Sequence, residues 1–527
     1  MAKVLVSDPV AQEGVGILRR AGLEVDVRTG LTKDELIAII GDYDALAVRS
    51  ETKVTADVLE AAGRLKIIGR AGVGVDNIDV ERATQRGILV VNSPEGNTIA
   101  AAELTVTLLL SLSRNVPQAS ASLRNGEWKR SKYVGVEVYG KTAGVIGLGK
   151  IGREVARRLL GLEMTVLAYD PFLSPEQAEA LGVRLVDLDT IYRQSDYITV
   201  HVPKTKDTAG MIGAEQIAAM KDGVRLINVA RGGIIQEAAL REGIESGKIA
   251  GAAIDVWEQE PTPPDNPLLK IPQVVGTPHL GASTEEAQVG VAVDIAEQIV
   301  DVLEGRPARA AVNMPSLAPD VLAHIEPYLR LAEKIGSLHT QLASGSITSV
   351  EALYAGDWEP KEQLHITRAL MKGLLQPILT ESVNYVNAPT LAESRGIRVI
   401  ESRSGRGDEY ARLLTVVAQS GSGRRTICGT VFGRSDARIV HIDGYNVDFK
   451  PEGWMIVTQH TDRPGIIGRV GTLLGARGVN IAGMYVGREQ KTGRAVMALS
   501  LDDAVPADIM AEIMAMEGMD SARLVEL

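Results

Sequence analysis

Apolar positions along the first ninety residues alternate between two periods. Short runs such as Lys3-Val-Leu-Val-Ser and Leu23-Glu-Val-Asp-Val have strand character, and the segments between them repeat apolar residues at helical spacing. The pattern predicts strands over 3–7, 23–27, 45–48, 65–68 and 88–91, with helices over 10–21, 33–40, 56–62 and 80–86. Such alternation means a parallel sheet wrapped by helices. One helix is expected over 97–114, where the middle, Leu104 to Leu112, is almost unbroken apolar sequence. It is too short for a bilayer and reads as a buried connection into a second domain. Alternation resumes from 144 to about 282, with strands over 145–147, 166–169, 197–200, 225–229, 252–256 and 274–276. A helix over 284–305 then leads the chain back towards the first domain.

Beyond a linker over 306–313 the pattern changes class. Helical periods over 328–342, 361–375 and 389–395 mix with strand-like runs over 397–402, 413–418, 426–432 and 438–442, and no chemical motif stands out among them. The last block runs strand, helix, strand, strand, helix, strand, over 454–459, 466–476, 480–488, 494–501, 506–516 and 522–526. That βαββαβ order predicts a small ferredoxin-like domain. The expected division is 1–96 with 283–313, then 97–282, 314–452 and 453–527.

Composition changes this picture little. The 527 residues exceed one ordinary core and predict roughly three or four domains. A balance of 45% apolar and 23% charged residues is that of ordinary globular protein, and a net charge of −11 argues against a nucleic-acid partner. The single cysteine, Cys428, excludes an intramolecular disulfide and reads as a small core residue in a reducing compartment. The N-terminal MAKVLVSDPV is strand and turn rather than an export signal, and no apolar run spans a bilayer, so a cytoplasmic chain without a membrane partner is expected. His324, His339, His365 and His441 lack ligand spacing and read as structural, so no metal is expected. Lys129, Arg130 and Lys132 read as a solvated basic face.

Candidate chemistry begins at Gly144–Asp170, GVIGLGKIGREVARRLLGLEMTVLAYD, which reads as strand, tight turn, helix and strand. Gly147, Gly149 and Gly152 have G-x-G-x-x-G spacing. The first allows the turn, the second lets a pyrophosphate reach the backbone, and the third lets helix and strand pack closely. The helix N-terminus offers free N–H groups and a positive dipole end to phosphates. Asp170 can accept from both ribose hydroxyls of an adenosine and would repel a 2′-phosphate, which favours NAD over NADP. The first domain has no such turn, only Arg70-Ala-Gly-Val-Gly-Val-Asp-Asn-Ile-Asp, and is expected to bind the other reactant.

The residues just after each strand of the second domain are Gly147, Asp170, His201, Arg231, Glu258 with Glu260, and His279. Ligands of an open parallel sheet sit outside the carboxyl ends of its strands, so these groups are expected along one crevice. Hydride transfer between nicotinamide and a 2-hydroxy acid needs a forked cation for the carboxylate and a base for the hydroxyl proton. Arg231 suits the first task and His279 the second, with a carboxylate beside the histidine to hold its tautomer. On spacing alone Glu258 competes with Glu260 for that place.

The chain resembles the D-isomer-specific 2-hydroxyacid dehydrogenase family over residues 1 to about 313. The resemblance runs through VRSETKV, GRAGVGVDNIDV, GLGKIGREVA, NVARGG, AAIDVWEQEP and TPHLGAST. It implies catalytic roles for Arg231, Glu260 and His279, which favours Glu260 over Glu258. Its implied NAD contacts are Gly147, Gly149, Lys150, Ile151, Gly152, Asp170, His201, Val202 (through its backbone), Val229, Ala230, Arg231, Asp255, His279, Gly281 and Ala282. After 313 the chain is similar to the long members of the family, which carry an intervening domain and an ACT domain.

The implied architecture is a Rossmann nucleotide-binding domain inserted in a flavodoxin-like substrate domain, both doubly wound parallel sheets, followed by an α+β intervening domain and the ferredoxin-like ACT domain. The implied reaction is NAD-dependent oxidation of 3-phosphoglycerate to 3-phosphohydroxypyruvate, the first committed step of serine synthesis. Arg49 would meet the phosphate, with Ser50 also a substrate contact, and Gly72 and Val73, with Arg231 and His279, the reacting end. The same resemblance implies a homotetramer and an L-serine effector site at His460, Asp462 and Asn480. Alternatives are a reductase of glyoxylate, hydroxypyruvate or another 2-oxo acid, disfavoured by Arg49 and the C-terminal extension, and an NAD-sensing regulatory protein, disfavoured by the intact Arg–Glu–His set.

Overall fold

In the computed structural model residues 1–405, 410–421, 423–488 and 493–527 are described. Five short strands, β1 (Lys3–Val6), β2 (Glu24–Val27), β3 (Ala45–Val48), β4 (Ile67–Arg70) and β5 (Leu89–Asn92), lie parallel in the order β2-β1-β3-β4-β5. Their side chains alternate between two buried faces, which is why they read as near-continuous apolar runs. Leu5, Leu46, Val48 and Ile68 face one cluster, while Val4, Val6, Ala47 and Ile67 face the other with Ile295 and Ile299. Those two isoleucines belong to helix Glu285–Leu303, which returns from the second domain; a Cβ on Gly69 would stand 2.5 Å from Ile295 Cγ2, so the strand has no room for a side chain there. The chain then seals the sheet edge, with Val312 N–H donating to the Val90 carbonyl.

Seven parallel strands build the second sheet: β6 (Thr142–Ile146), β7 (Thr165–Tyr169), β8 (Arg184–Leu185), β9 (Tyr197–Val200), β10 (Val224–Asn228), β11 (Ile249–Ile254) and β12 (Val274–Gly276). Their order, β12-β11-β10-β9-β6-β7-β8, reverses direction between β6 and β9, the switch point at which such sheets bind ligands. Helix Thr98–Arg114 buries Leu108, Leu109 and Leu112 against this sheet, then bends by 65° into helix Val116–Arg124. Among the described residues no single helix is long and apolar enough to cross a membrane. Lys129, Arg130 and Lys132 are exposed, and Lys129 pairs with Glu127.

The third sheet is mixed. Its strands are β13 (Ile347–Gly356), β14 (Arg398–Ser404), β15 (Arg412–Ser420), β16 (Gly423–Phe432), β17 (Asp436–Ile442) and β18 (Tyr445–Phe449), in the order β14-β13-β15-β16-β17-β18. Helices Pro319–Leu342 and Pro360–Leu375 cover one face. Cys428 lies buried on β16. The fourth sheet joins β19 (Trp454–Thr461), β20 (Ile481–Arg488), β21 (Arg494–Leu501) and β22 (Met519–Glu526) in the order β20-β21-β19-β22, with helices Ile466–Ala476 and Ala507–Met514 on one face, a ferredoxin-like arrangement.

Strands β8, β13 and β18 and helix Val116–Arg124 have no counterpart in the sequence-based set, and helices Pro175–Ala180, Leu188–Gln194, Ala214–Ala219 and Glu237–Glu245 stand where the alternation implied helices without placing them. In β13 the buried residues Val350, Ala352 and Tyr354 do alternate, but the small Ala352 among them and the apolar Leu353 on the opposite face weaken the period. The first helix of the third unit begins at 319 rather than 328, because Pro327 sits inside it and interrupts the pattern.

Candidate active site

The turn after β6 shows what each glycine does. Gly147 takes φ +94°, and a Cβ there would stand 2.6 Å from the His201 carbonyl oxygen. A Cβ on Gly152 would stand 1.9 Å from the Gly147 carbonyl oxygen, so helix Lys150–Gly161 lies directly on the turn. Gly149 is different: a Cβ there would meet nothing within 4 Å, and as the helix N-cap it has no side-chain cap on the first N–H groups. Open space above an uncapped helix N-terminus fits a pyrophosphate. Asp170 ends β7 beside it, its Oδ2 accepting from Leu148 N–H at 2.8 Å and its Oδ1 from Phe172 N–H at 2.9 Å. Each oxygen keeps a lone pair for a ribose hydroxyl.

His201 and Val202 close the turn from β9. The imidazole Nε2 of His201 bonds Thr199 Oγ1 at 2.9 Å, and burial lowers its pKa to about 4, so the ring is neutral at pH 7. Lys150 is exposed at the first turn of the helix, Ile151 is half-buried behind it, and Val229 is buried at the end of β10.

Arg231 follows β10 on a turn folded by Asn228, whose Oδ1 accepts from Ala230 N–H at 3.0 Å and whose Nδ2 donates to the Arg231 carbonyl at 2.9 Å. His279 follows β12 in a left-handed backbone conformation, φ +55°, which a histidine adopts only when the surroundings impose it. Asp255 imposes it. This carboxylate is completely buried and accepts from Thr277 Oγ1 (2.6 Å), Leu280 N–H (2.7 Å) and Gly281 N–H (2.9 Å), while the Asp255 carbonyl accepts from His279 N–H. Asp255 therefore works in the loop that carries His279, and its side chain has no open face. Gly281 is buried and Ala282 half-buried behind that loop.

The Nδ1 of His279 meets Glu260 Oε2 at 2.7 Å, and Glu260 Oε1 accepts from Trp257 N–H at 3.0 Å. Burial pushes the Glu260 carboxyl upward, but the bonds from His279 and Trp257, helped by Arg231, hold it below the usual carboxylate range. An ionised Glu260 fixes the proton on Nδ1 and leaves Nε2 as the acceptor. Glu258 faces elsewhere: its Oε1 accepts from Glu237 N–H at 2.8 Å.

Across the cleft stand the ends of β3 and β4. Asp8, 1% exposed, accepts from the N–H groups of Arg49 and Thr52, and Asn77 Nδ2 donates to the carbonyls of both, which ties the Arg49–Thr52 loop to the glycine turn after β4. Arg49 is half-buried and Ser50 exposed. At Gly72, φ +148°, a Cβ would lie 1.6 Å from Arg70 Nη1. Gly72 N–H is already donated to the Arg70 carbonyl, whereas the N–H of Val73 has no acceptor among the described residues.

Sequence reasoning missed Arg70. It is half-buried, its buried Nε has no partner, and desolvation together with Arg231 and Arg49 pushes its pKa down to about 10. Three guanidiniums from distant segments converge here, and Arg70 gave no signal beyond being a cation at a strand end. The Nε of Arg231 donates to Asp76 Oδ2 at 3.1 Å, so the two domains touch at this point.

The residues read as an effector site are not gathered in one chain. His460 is 2% exposed, with Nδ1 bonded to Thr458 Oγ1. Asp462 N–H bonds the Gly493 carbonyl at one end of β21, whereas Asn480 Nδ2 bonds Asp502 at the other, roughly 25 Å away by strand length. Among the described residues no group of acids, histidines and cysteine has the placement for a metal.

A doubly wound crevice with a nucleotide turn, an acid-paired histidine and a facing guanidinium is the equipment of an NAD-dependent 2-hydroxyacid dehydrogenase. The profile of the NAD-binding domain of D-isomer specific 2-hydroxyacid dehydrogenases matches residues 106–281, that of the D-3-phosphoglycerate dehydrogenase intervening domain 324–443, and that of the ACT domain 454–518. The chain is 50% identical over 527 residues to D-3-phosphoglycerate dehydrogenase of Archaeoglobus fulgidus, covering both chains fully, and 50% identical over 528 residues to that of Synechocystis, covering all of this chain and 95% of the relative. Its N-terminal part also resembles the crystal structure of Aquifex aeolicus D-lactate dehydrogenase complexed with NAD and lactic acid, with 29% identity, a TM-score of 0.52, and coverage of 57% of this chain and 96% of the other. The chain belongs to the D-3-phosphoglycerate dehydrogenase family of NAD-dependent 2-hydroxyacid dehydrogenases.

Proposed function

We propose that this chain oxidises the C2 hydroxyl of 3-phospho-D-glycerate to the ketone of 3-phosphohydroxypyruvate, the first step of L-serine biosynthesis. The observation that carries the reading is the convergence of Arg49, Arg70 and Arg231 opposite the His279–Glu260 pair. A substrate with a phosphate at one end and a carboxylate at the other needs cations at both ends of the pocket. Arg231 takes the carboxylate with the free N–H of Val73. Arg49 and Arg70 take the phosphate, with the Ser50 hydroxyl beside them.

NAD, when bound, supplies a hydride acceptor. Its pyrophosphate would be held at Gly149, Lys150 and Ile151, and its adenosine ribose at Asp170. Val202, Val229, Ala230, Gly281 and Ala282 would line its path towards the reacting carbon. His279 Nε2 removes the C2 hydroxyl proton. The O–H electron pair then forms the C=O bond as the C2–H bond breaks and its hydrogen departs with both electrons. Glu260 stabilises the resulting imidazolium through Nδ1–H.

Regulation by L-serine and a cytoplasmic homotetramer belong to the same proposal. Asp462 and Asn480 stand at opposite ends of one sheet, so a site using both needs a second copy of the ACT domain. The exposed apolar residues Val116, Leu123, Trp128 and Val134, clustered along one segment, suit contact between copies. The test is NADH formation with 3-phosphoglycerate against unphosphorylated D-glycerate at equal concentration. Preference of at least about a hundredfold in kcat/KM for the phosphorylated acid is expected for desolvated charge pairs. Equal rates, or turnover only of glyoxylate or hydroxypyruvate with NADH, would overturn the assignment.

A further inference from the structure

Two ion pairs cross the cleft, and in both the cation comes from the nucleotide domain and the carboxylate from the substrate domain. Arg231, after β10, donates from Nε to Asp76 Oδ2 at 3.1 Å; Lys150, at the first turn of the helix behind the glycine turn, donates from Nζ to Glu95 Oε1 at 2.5 Å. Both carboxylates are otherwise open to solvent, Asp76 at 74% and Glu95 at 77% side-chain exposure. Neither is locked in place by a cap or by burial. The Lys150 ammonium holds the Glu95 carboxyl below its ordinary range.

Two nitrogens of the Arg231 fork are engaged in this state, and the third is crowded. Nη1 donates to the Ala230 carbonyl at 2.7 Å, Nε goes to Asp76, and Nη2 lies against Gly74, where a Cβ would stand 2.0 Å from it. A substrate carboxylate seeking the two parallel N–H groups of the Nε–Nη2 edge finds that edge open only when Asp76 leaves. Likewise a pyrophosphate arriving at the N-terminus of helix Lys150–Gly161 meets Lys150 already neutralised.

We propose that Asp76 and Glu95 are resident stand-ins for two ligand anions. Asp76 occupies the substrate carboxylate's place on Arg231 and quiets the mutual repulsion of Arg231, Arg70 and Arg49. Glu95 occupies Lys150 until the dinucleotide pyrophosphate displaces it. Exposed ion pairs are weak enough for a multiply charged ligand to break. Each stand-in therefore raises the apparent dissociation constant of its own ligand and leaves the other unaffected. This rests on the assignment of Arg231 and the helix N-terminus made above.

The test uses the full chain with Asp76→Asn, Asp76→Glu and Glu95→Gln. Asp76→Asn should lower KM for 3-phosphoglycerate about three- to fivefold, as release of an exposed pair allows, and shift the NADH dissociation constant less than about twofold. Asp76→Glu should restore the wild-type KM. Glu95→Gln should tighten NADH binding, read by fluorescence without turnover, by a similar factor and leave KM for 3-phosphoglycerate within about twofold. If either variant tightened both ligands equally, net charge alone would explain the effect and the proposal falls. If Asp76→Asn lowered kcat at unchanged or raised KM, Asp76 would align Arg231 rather than substitute for the substrate. The NADH arm stands independently of turnover, so failure of the reaction with 3-phosphoglycerate is distinguishable from failure of the stand-ins.

Discussion

At the scale of single residues, the site turns on a histidine held in a backbone conformation it would not choose. The Asp255 carboxylate gathers two N–H groups and a hydroxyl of the 277–281 segment, and that closure turns His279 towards Glu260. Loss of the base in His279→Ala should lower kcat at least about a hundredfold, with an unchanged circular dichroism spectrum; a near-normal kcat would remove His279 from the reaction. The Arg–Glu–His set was legible in the sequence because strand ends of a parallel sheet share an edge, and each of the three follows a strand. Two finer matters were not. Glu258 and Glu260 are equivalent by spacing, and only the turn that sends Glu258 to Glu237 separates them. Arg70 acquires its meaning from Arg49 at the end of the neighbouring strand and from Arg231, which meets it only across the two domains.

At the scale of elements, the strand–turn–helix unit at Gly144–Asp170 divides its work between its glycines, and substitution should separate fold from binding. Gly149→Ala adds a Cβ into open space, so thermal stability should hold while the NADH dissociation constant rises tenfold or more, as a methyl group in a phosphate's place implies. Gly152→Ala drives a Cβ into the Gly147 carbonyl and should destabilise by ~2 kcal/mol or more, visible as a lowered melting temperature. The reverse pattern would mean the turn is not a nucleotide cradle. Elements with strong periods, such as Ile466–Ala476 and Arg494–Leu501, were read to the residue. Those lost were short, as β8 is, or blurred in period, as in β13 with its apolar Leu353 on the outer face and in 319–327 with its proline, where tertiary pairing rather than local pattern decides the conformation.

At the scale of the whole molecule, the helices packed on the third sheet contribute stability that depends on buried neutral histidines. Burial holds His339 down to about 3 and His365 to about 4, whereas an unfolded histidine titrates near about 6.5. The folded chain therefore binds fewer protons than the unfolded one below that value. The stabilisation is complete above about pH 6.5 and is lost as pH falls towards 4 and then 3. Urea unfolding followed between pH 7 and 4.5 should show stability falling with acid, with His339→Leu flattening the slope by about 1 kcal/mol per pH unit; an unchanged slope would contradict a neutral His339. Domain order, sheet class and the βαββαβ block were visible in sequence because they follow from the period of apolar residues. The placement of Asp462 and Asn480 at opposite ends of one sheet was not, since their separation is set by the register of β20 on β21. All of this serves one claim: a single crevice brings nucleotide and phospho-acid together so that hydrogen passes directly between them while His279 takes the proton. The most direct measurement is a single turnover of 3-phosphoglycerate carrying deuterium at C2, with the NADH analysed by NMR and mass spectrometry. One deuterium per NADH at C4 of the nicotinamide, and none in water, is expected. Deuterium released to solvent, or unlabelled NADH, would contradict the account.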